Sequence, residues 1–210
     1  MSDSKPIPTI IYWKVASRGQ LPLLLLSAGN IEYNYDDATA NKWPSKKQDM
    51  PFGQLPVLKT TDGTLIGQSG AIARYCAKLA GLFPTNDTEV AVVDSIMEQC
   101  NDVFNGMVKA KYAPVADDNK GEAWETFKTE TLPKLDWINS LLEKINTAFF
   151  GGDAPNAADI SIFSTMNLVE KAGIALPTWS RLTPLYEKVA TVGKIPEYLA
   201  ANYPPYFKAK

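Results

Sequence analysis

Gln68-Ser69 stands where a short apolar run, Thr64-Leu65-Ile66, gives way to residues with helical spacing. A helix that starts there presents free N–H groups and the positive end of its dipole, and such a terminus binds anions, carboxylates among them. Ser69 equally serves as a plain helix cap, and the two roles are compatible. Other chemistry is bounded by what the chain lacks. It contains no His in 210 residues, which excludes Ser-His-Asp and Cys-His catalysis, His-ligated zinc and imidazole proton shuttling. Cys76 and Cys100 lie too far apart for a CxxC pair, and two thiols do not make a disulfide framework. They read as buried, inert core thiols of a protein in a reducing compartment.

The balance of 21 Lys+Arg against 23 Asp+Glu supplies no basic surface for phosphates, so a nucleic-acid partner is not expected. The N-terminus, Met1-Ser2-Asp3-Ser4-Lys5-Pro6, lacks the charged-then-apolar build of a signal peptide. The longest apolar run, Leu21 to Leu26, is short and contains Pro22, so neither export nor membrane insertion is expected and the location reads as cytoplasmic. A chain of roughly this length buries about 70% of its unfolded surface and needs no metal or disulfide staple.

The elements that must position these residues follow from periodicity. Thr9-Ile10-Ile11-Tyr12-Trp13 reads as a strand, Arg18 to Ala28 as a buried helix closed by Gly29-Asn30, and Ile31 to Tyr35 as a second strand. Leu55 to Lys59 and Thr64 to Ile66 flank Asp62-Gly63, a hairpin signal, and Ser69 opens a helix through Leu79 that Gly81 stops. The order β-α-β-(loop)-β-β-α predicts a mixed sheet of thioredoxin-like arrangement. After a linker at 83–87 the strand signals stop. Val90 to Tyr112, Gly121 to Ile145, Asn156 to Ala172 and Thr178 to Val192 all show helical spacing, so residues 88–210 are expected to form an all-helical domain behind an α/β domain at 1–82. Asn156-Ala157-Ala158-Asp159 has the form of a capping box with a structural role.

One block is more specific than its parts: Phe52-Gly53-Gln54-Leu55-Pro56-Val57-Leu58, then Asp62-Gly63, Gln68-Ser69 and Ala71-Ile72-Ala73-Arg74-Tyr75. With the sheet-then-bundle order it resembles the cytosolic glutathione S-transferases. Tyr12, six positions before Arg18, matches the tyrosine-type classes (sigma, mu, pi and alpha), with a lean toward sigma, while the serine-type position holds Lys14. The resemblance implies a thioredoxin-like glutathione-binding domain followed by an all-α domain. It also implies an enzyme of detoxification that activates the thiol of glutathione, its co-substrate, and conjugates it to hydrophobic electrophiles without a metal. Tyr12 is then the catalytic donor to the sulfur. Glutathione-binding roles fall to Arg18, Trp43, Lys47, Gln54, Leu55, Pro56, Gln68, Ser69 and Asp102. A cis Leu55-Pro56 bond would turn the Leu55 backbone toward the cysteinyl unit, where a trans proline opening an edge strand is the plain alternative. For Trp43 to Lys47 the competing view is an exposed loop with solvated lysines, and acids spaced like Asp94 and Asp102 are common on solvated helix faces.

The resemblance further implies an electrophile pocket drawn from Trp13, Val15, Val108, Tyr112 and Phe207, and a homodimer anchored by Phe52. Lys14, Trp13 and Ser17 depart from the family pattern beside the sulfur and leave substrate preference open. Two further readings stay open: a glutathione-dependent isomerase or peroxidase on the same fold, and a non-catalytic relative of the kind found among lens crystallins and translation-factor domains.

Overall fold

The computed structural model describes residues 7–38, 43, 45–113 and 119–201, with the backbone alone at 119 and 120. Phe207, expected at the electrophile pocket, lies outside these. The described residues divide into two units after Leu82, and those from Gly193 onward rejoin the first.

In the first unit β1 (Thr9–Tyr12), β2 (Asn34–Asp37), β3 (Val57–Lys59) and β4 (Leu65–Gly67) form one sheet in the order β2-β1-β3-β4. β1 runs parallel to β2 and antiparallel to β3, with Ile10 opposite Tyr35 on one side and Leu58 on the other. Ile10 and Leu58 are fully buried, so the sheet centre is fixed by β-branched and leucine side chains with no polar partner to satisfy. Helices α1 (Gln20–Ala28) and α2 (Ser69–Leu79) complete the mixed α/β unit that the sequence order predicts. The hairpin between β3 and β4 turns at Gly63, whose φ of 90° suits glycine, and Asp62 accepts from Thr60 Oγ1 and from Thr64 N at 3.1 Å.

The second strand begins later than its apolar pattern suggests. Asn30 adopts φ 57°, Asn30 N bonds Ser27 O at 3.1 Å and Ile31 N bonds Leu26 O at 2.9 Å, which is a Schellman closure of α1. Ile31 therefore caps the helix and the ladder starts only at Asn34.

The second unit is helical: α3 (Asp87–Lys111), α4 (Asn119–Thr126), α5 (Lys134–Ile145), α6 (Ala157–Lys171) and α7 (Leu182–Val189). The single helix expected over Gly121 to Ile145 is broken. A π turn at Phe127–Thr131 follows α4, and Pro133, which has no N–H, stands as the N-cap from which α5 starts afresh. The helix expected over Thr178 to Val192 is shorter at both ends, and α8 (Ile195–Ala200), which the sequence reading missed, belongs to the first unit. Asn139 of α5 caps α7, its Oδ1 accepting from Arg181 N at 3.0 Å and Leu182 N at 3.3 Å.

α6 is the core of this unit, buried from Ala157 through Val169. The capping box is present. Asp159 accepts N–H groups from Asn156 (2.9 Å), Phe150 (2.9 Å) and Gly151 (3.2 Å), and Asn156 Oδ1 accepts from Ala158 N at 2.9 Å. Burial pushes the Asp159 carboxyl up to about 6 against the pull of those donors. An unfolded Asp sits at about 3.9, so the folded state holds this proton more tightly. Its contribution to stability is fully present below about pH 4 and is lost as pH rises through about 6. Unfolding free energies from urea titrations across that range should fall for the wild type relative to Asp159→Asn, by on the order of 3 kcal/mol; parallel pH curves would show that the carboxyl titrates normally. Asp159→Ala removes the shared acceptor of three N–H groups, on half-buried Phe150 and Asn156 and on exposed Gly151, and should lower the unfolding free energy by about 1–3 kcal/mol in urea titration.

Candidate functional site

β1 alternates half-buried and buried residues, so its last residue, Tyr12, points to the covered face and is only 3% exposed. Tyr12 O accepts from Ala38 N at 3.0 Å, and Ala38 O accepts from Trp43 N at 3.3 Å, which ties the Trp43 segment to the end of the strand. Beyond Tyr12 the chain turns, with Val15 N bonded to Trp13 O at 2.7 Å, and Tyr35 Oη donates to the same carbonyl at 2.6 Å. The Trp13 ring meets the Trp43 ring edge-on, with centroids 6.2 Å apart.

These tryptophans open a cleft of about 540 Å³. Arg18 and Lys47 supply positive charge to its wall, and among the described residues no carboxylate lines it. The remaining wall comes from Gly53 with Gln54, Leu55 and Pro56, and from Gln68 with Ser69. The Leu55-Pro56 bond is cis, as the family pattern implies, and Leu55 lies just before β3, outside its ladder. Gly53 has φ 59°, and a Cβ there would touch Lys47 Cε at 3.4 Å, so the lysine stem lies over the glycine. Gly53 is the wall residue that sequence reasoning assigned no role, although it sits inside the quoted motif.

Gln68 has φ 70° and ψ 115°, a conformation that costs a non-glycine residue on the order of 1–3 kcal/mol and that gathers at ligand-binding positions. It is the N-cap of α2 but makes no side-chain bond to the helix, so no side chain of its own covers the N–H groups that open α2 at Ser69. Its Nε2 instead lies 3.5 Å from Gln54 Oε1, a long contact that joins two walls of the cleft. Positive charge and open helix N–H groups make this a place suited to an anionic ligand.

Residues 8–78 match the glutathione S-transferase N-terminal domain and residues 101–202 the C-terminal domain. The chain belongs to the glutathione S-transferase family. Within that family it is 28% identical over 203 residues to a probable glutathione S-transferase 6 of Caenorhabditis elegans, covering 94% of this chain and 97% of the relative. It is 29% identical over 194 residues to the hematopoietic prostaglandin D synthase of Gallus gallus, covering 90% and 94%. The solved prostaglandin synthase D of Nilaparvata lugens superposes with a TM-score of 0.81 at 26% identity, covering 94% of this chain and 98% of that one.

The structure thus gathers the predicted Trp13, Arg18, Trp43, Lys47, Gln54, Leu55, Pro56, Gln68 and Ser69 around one cleft. Tyr12 is not part of the wall but adjoins it, its ring centroid 5.5 Å from that of Trp13. Val15 is half-buried in the same loop. Asp102 lies in the second unit, where its carboxylate accepts from Lys134 Nζ at 2.7 Å. Val108 is half-buried on α3 and Tyr112, just past that helix, is exposed. Phe52 is 63% exposed.

Both cysteines are buried, and burial pushes each thiol up to about 12. Neither protein thiol is therefore available as a nucleophile at the cleft. An aromatic disulfide reagent should label neither Cys76 nor Cys100 in the folded protein and both after denaturation; rapid labelling of either in the native state would contradict this burial.

Proposed function

We propose that the protein binds glutathione in this cleft, ionises its thiol through a hydrogen bond from Tyr12, and transfers the sulfur to hydrophobic electrophiles. The observation that carries the reading is the convergence of a wall carrying Arg18 and Lys47 and the open N-terminus of α2 on the loop that leaves Tyr12. Glutathione is a tripeptide with two carboxylates. The γ-glutamyl carboxylate suits Gln68, Ser69 and the α2 N–H groups, the glycyl carboxylate suits Lys47 with the Trp43 indole, and the cysteinyl unit lies along the Leu55 backbone as an added strand. Gln54 and Arg18 supply polar neighbours, and Trp13 supplies apolar surface beside the sulfur.

A free thiol titrates near 8.5 and is mostly protonated at neutral pH. One charge-assisted hydrogen bond of about 1.5–3 kcal/mol to the thiolate lowers that value by roughly one to two units. The proton leaves to solvent, since no imidazole is present to hold it. The thiolate then forms a carbon–sulfur bond while the leaving group departs with the bonding pair. Proximity and the lowered pKa are the protein's contribution.

Phe52 suits the anchor of a homodimer, since a large exposed aromatic is the kind of side chain that dominates interface energy. In such a dimer Asp102 is assigned to the γ-glutamyl amine of the neighbouring site. Its pairing with Lys134, at 55% and 37% side-chain exposure, is a surface ion pair worth about 0–1 kcal/mol and does not hold it from that role. A cytoplasmic location fits this chemistry, where glutathione is held reduced.

A second reading, glutathione-dependent isomerisation, is favoured by the prostaglandin D synthases among the relatives. It uses the same thiolate, and product analysis separates the two: a glutathione conjugate in one case, a rearranged product free of glutathione in the other.

Titrating the thiolate absorbance of bound glutathione tests the mechanism. The wild type should show a value of roughly 6.5–7.5, and Tyr12→Phe should raise it by one to two units. Ionisation like that of free glutathione in both proteins would mark a binding or structural relative instead. Phe52→Ser should convert the species seen in sedimentation to a monomer with the fold retained, and a wild type that already sediments as a monomer would remove the dimer.

A further inference from the structure

Gly19 sits between Arg18 and the first residue of α1 in a conformation that does not call for glycine. Its φ is −79° and ψ −14°, values any residue adopts, so the backbone would accept larger residues here. What excludes them is one side chain. A Cβ built on Gly19 would lie 2.5 Å from Tyr12 Cδ1, 3.0 Å from Cγ and 3.1 Å from Cε1, along one edge of the ring. Carbon atoms settle at about 3.5–4.0 Å, so any side chain at position 19 displaces the Tyr12 ring by about 1 Å.

We propose that Gly19 is a positioning residue for thiol activation, its missing Cβ letting the Tyr12 ring lie against the backbone and fixing where the phenol points. The proposal rests on the reading of Tyr12 as donor to the glutathione sulfur. Tyr12 is 3% exposed and its ring also meets Trp13, so the phenol is aimed by packing on rigid neighbours. A hydrogen bond to sulfur weakens steeply with misalignment, and a displacement of about 1 Å at a reacting centre costs on the order of 100-fold. The groups assigned to the two glutathione carboxylates lie elsewhere on the wall, so Gly19 governs ionisation rather than affinity.

The test is Gly19→Ala, with Gly19→Ser alongside it as a second side chain that brings the same Cβ. Both should raise the pKa of the bound thiol by about one unit or more and lower kcat/KM about 10- to 100-fold near pH 6.5. The deficit should shrink above the thiol pKa, and the dissociation constant for glutathione should stay within about 3-fold. In a Tyr12→Phe background either substitution should leave the thiol pKa where Tyr12→Phe alone puts it. An unmoved thiol pKa in folded Gly19 variants, or a loss of rate that is equal at every pH, overturns the proposal. Failure of both variants to fold also overturns it, since the contact would then be packing and nothing more. If Tyr12→Phe itself leaves the thiol pKa unchanged, the underlying reading falls; if Tyr12→Phe raises it and the Gly19 variants do not, only the positioning role falls.

Discussion

Burial of the Tyr12 ring at the end of β1 is the constraint around which the cleft is arranged. A phenol has one polar atom on a large apolar body, and holding that body at 3% exposure requires neighbours on every side. The alternation of β1 turns the ring inward, Trp13 covers part of it, and the backbone at Gly19 closes another edge. The loop that leaves Tyr12 is held by Tyr35, and Ala38 links the Trp43 segment to the same strand end. Strand, helix start and cationic wall therefore share one anchor. A shift in any of them is felt at the phenol, because close-packed interiors transmit displacement instead of absorbing it.

Much of this was legible in the sequence, for reasons that differ between elements. Strands β1, β3 and β4 and helix α2 carry local signals in agreement: β-branched runs, an Asp-Gly turn and a glycine stop. The cleft was legible because its wall is built largely from residues contiguous in chain, Gly53 to Pro56 and Gln68-Ser69, at the ends of those elements. Ile31 misled, since its β-branched side chain reads as strand while its N–H is engaged in closing α1, a backbone role with no side-chain signature. The break at Pro133 was visible as a residue but was outweighed by apolar spacing on both sides of it. α8 is too short for periodicity to register, and its Pro at the second position reads equally as loop. The close approach at Gly19 depends on a ring seven residues earlier, a relation that no local pattern encodes.

The helical unit solves a different problem. α6 is buried along nearly its whole length and must enter the core with its first N–H groups satisfied, which a helix at the surface can leave to water. Asp159 gathers three of the local N–H groups and fixes the turn at Phe150-Gly151 against the start of α6. The arrangement depends on one carboxyl group whose burial works against its own ionisation.

The two buried cysteines carry a consequence for survival of the protein during its own work. A site that collects electrophiles exposes the surrounding polypeptide to alkylation, and protein thiolates are the groups most readily modified. With Cys76 and Cys100 enclosed and held protonated to about 12, neither protein thiol competes for the electrophile, and under the proposed chemistry the reagent is left to the sulfur of the bound tripeptide.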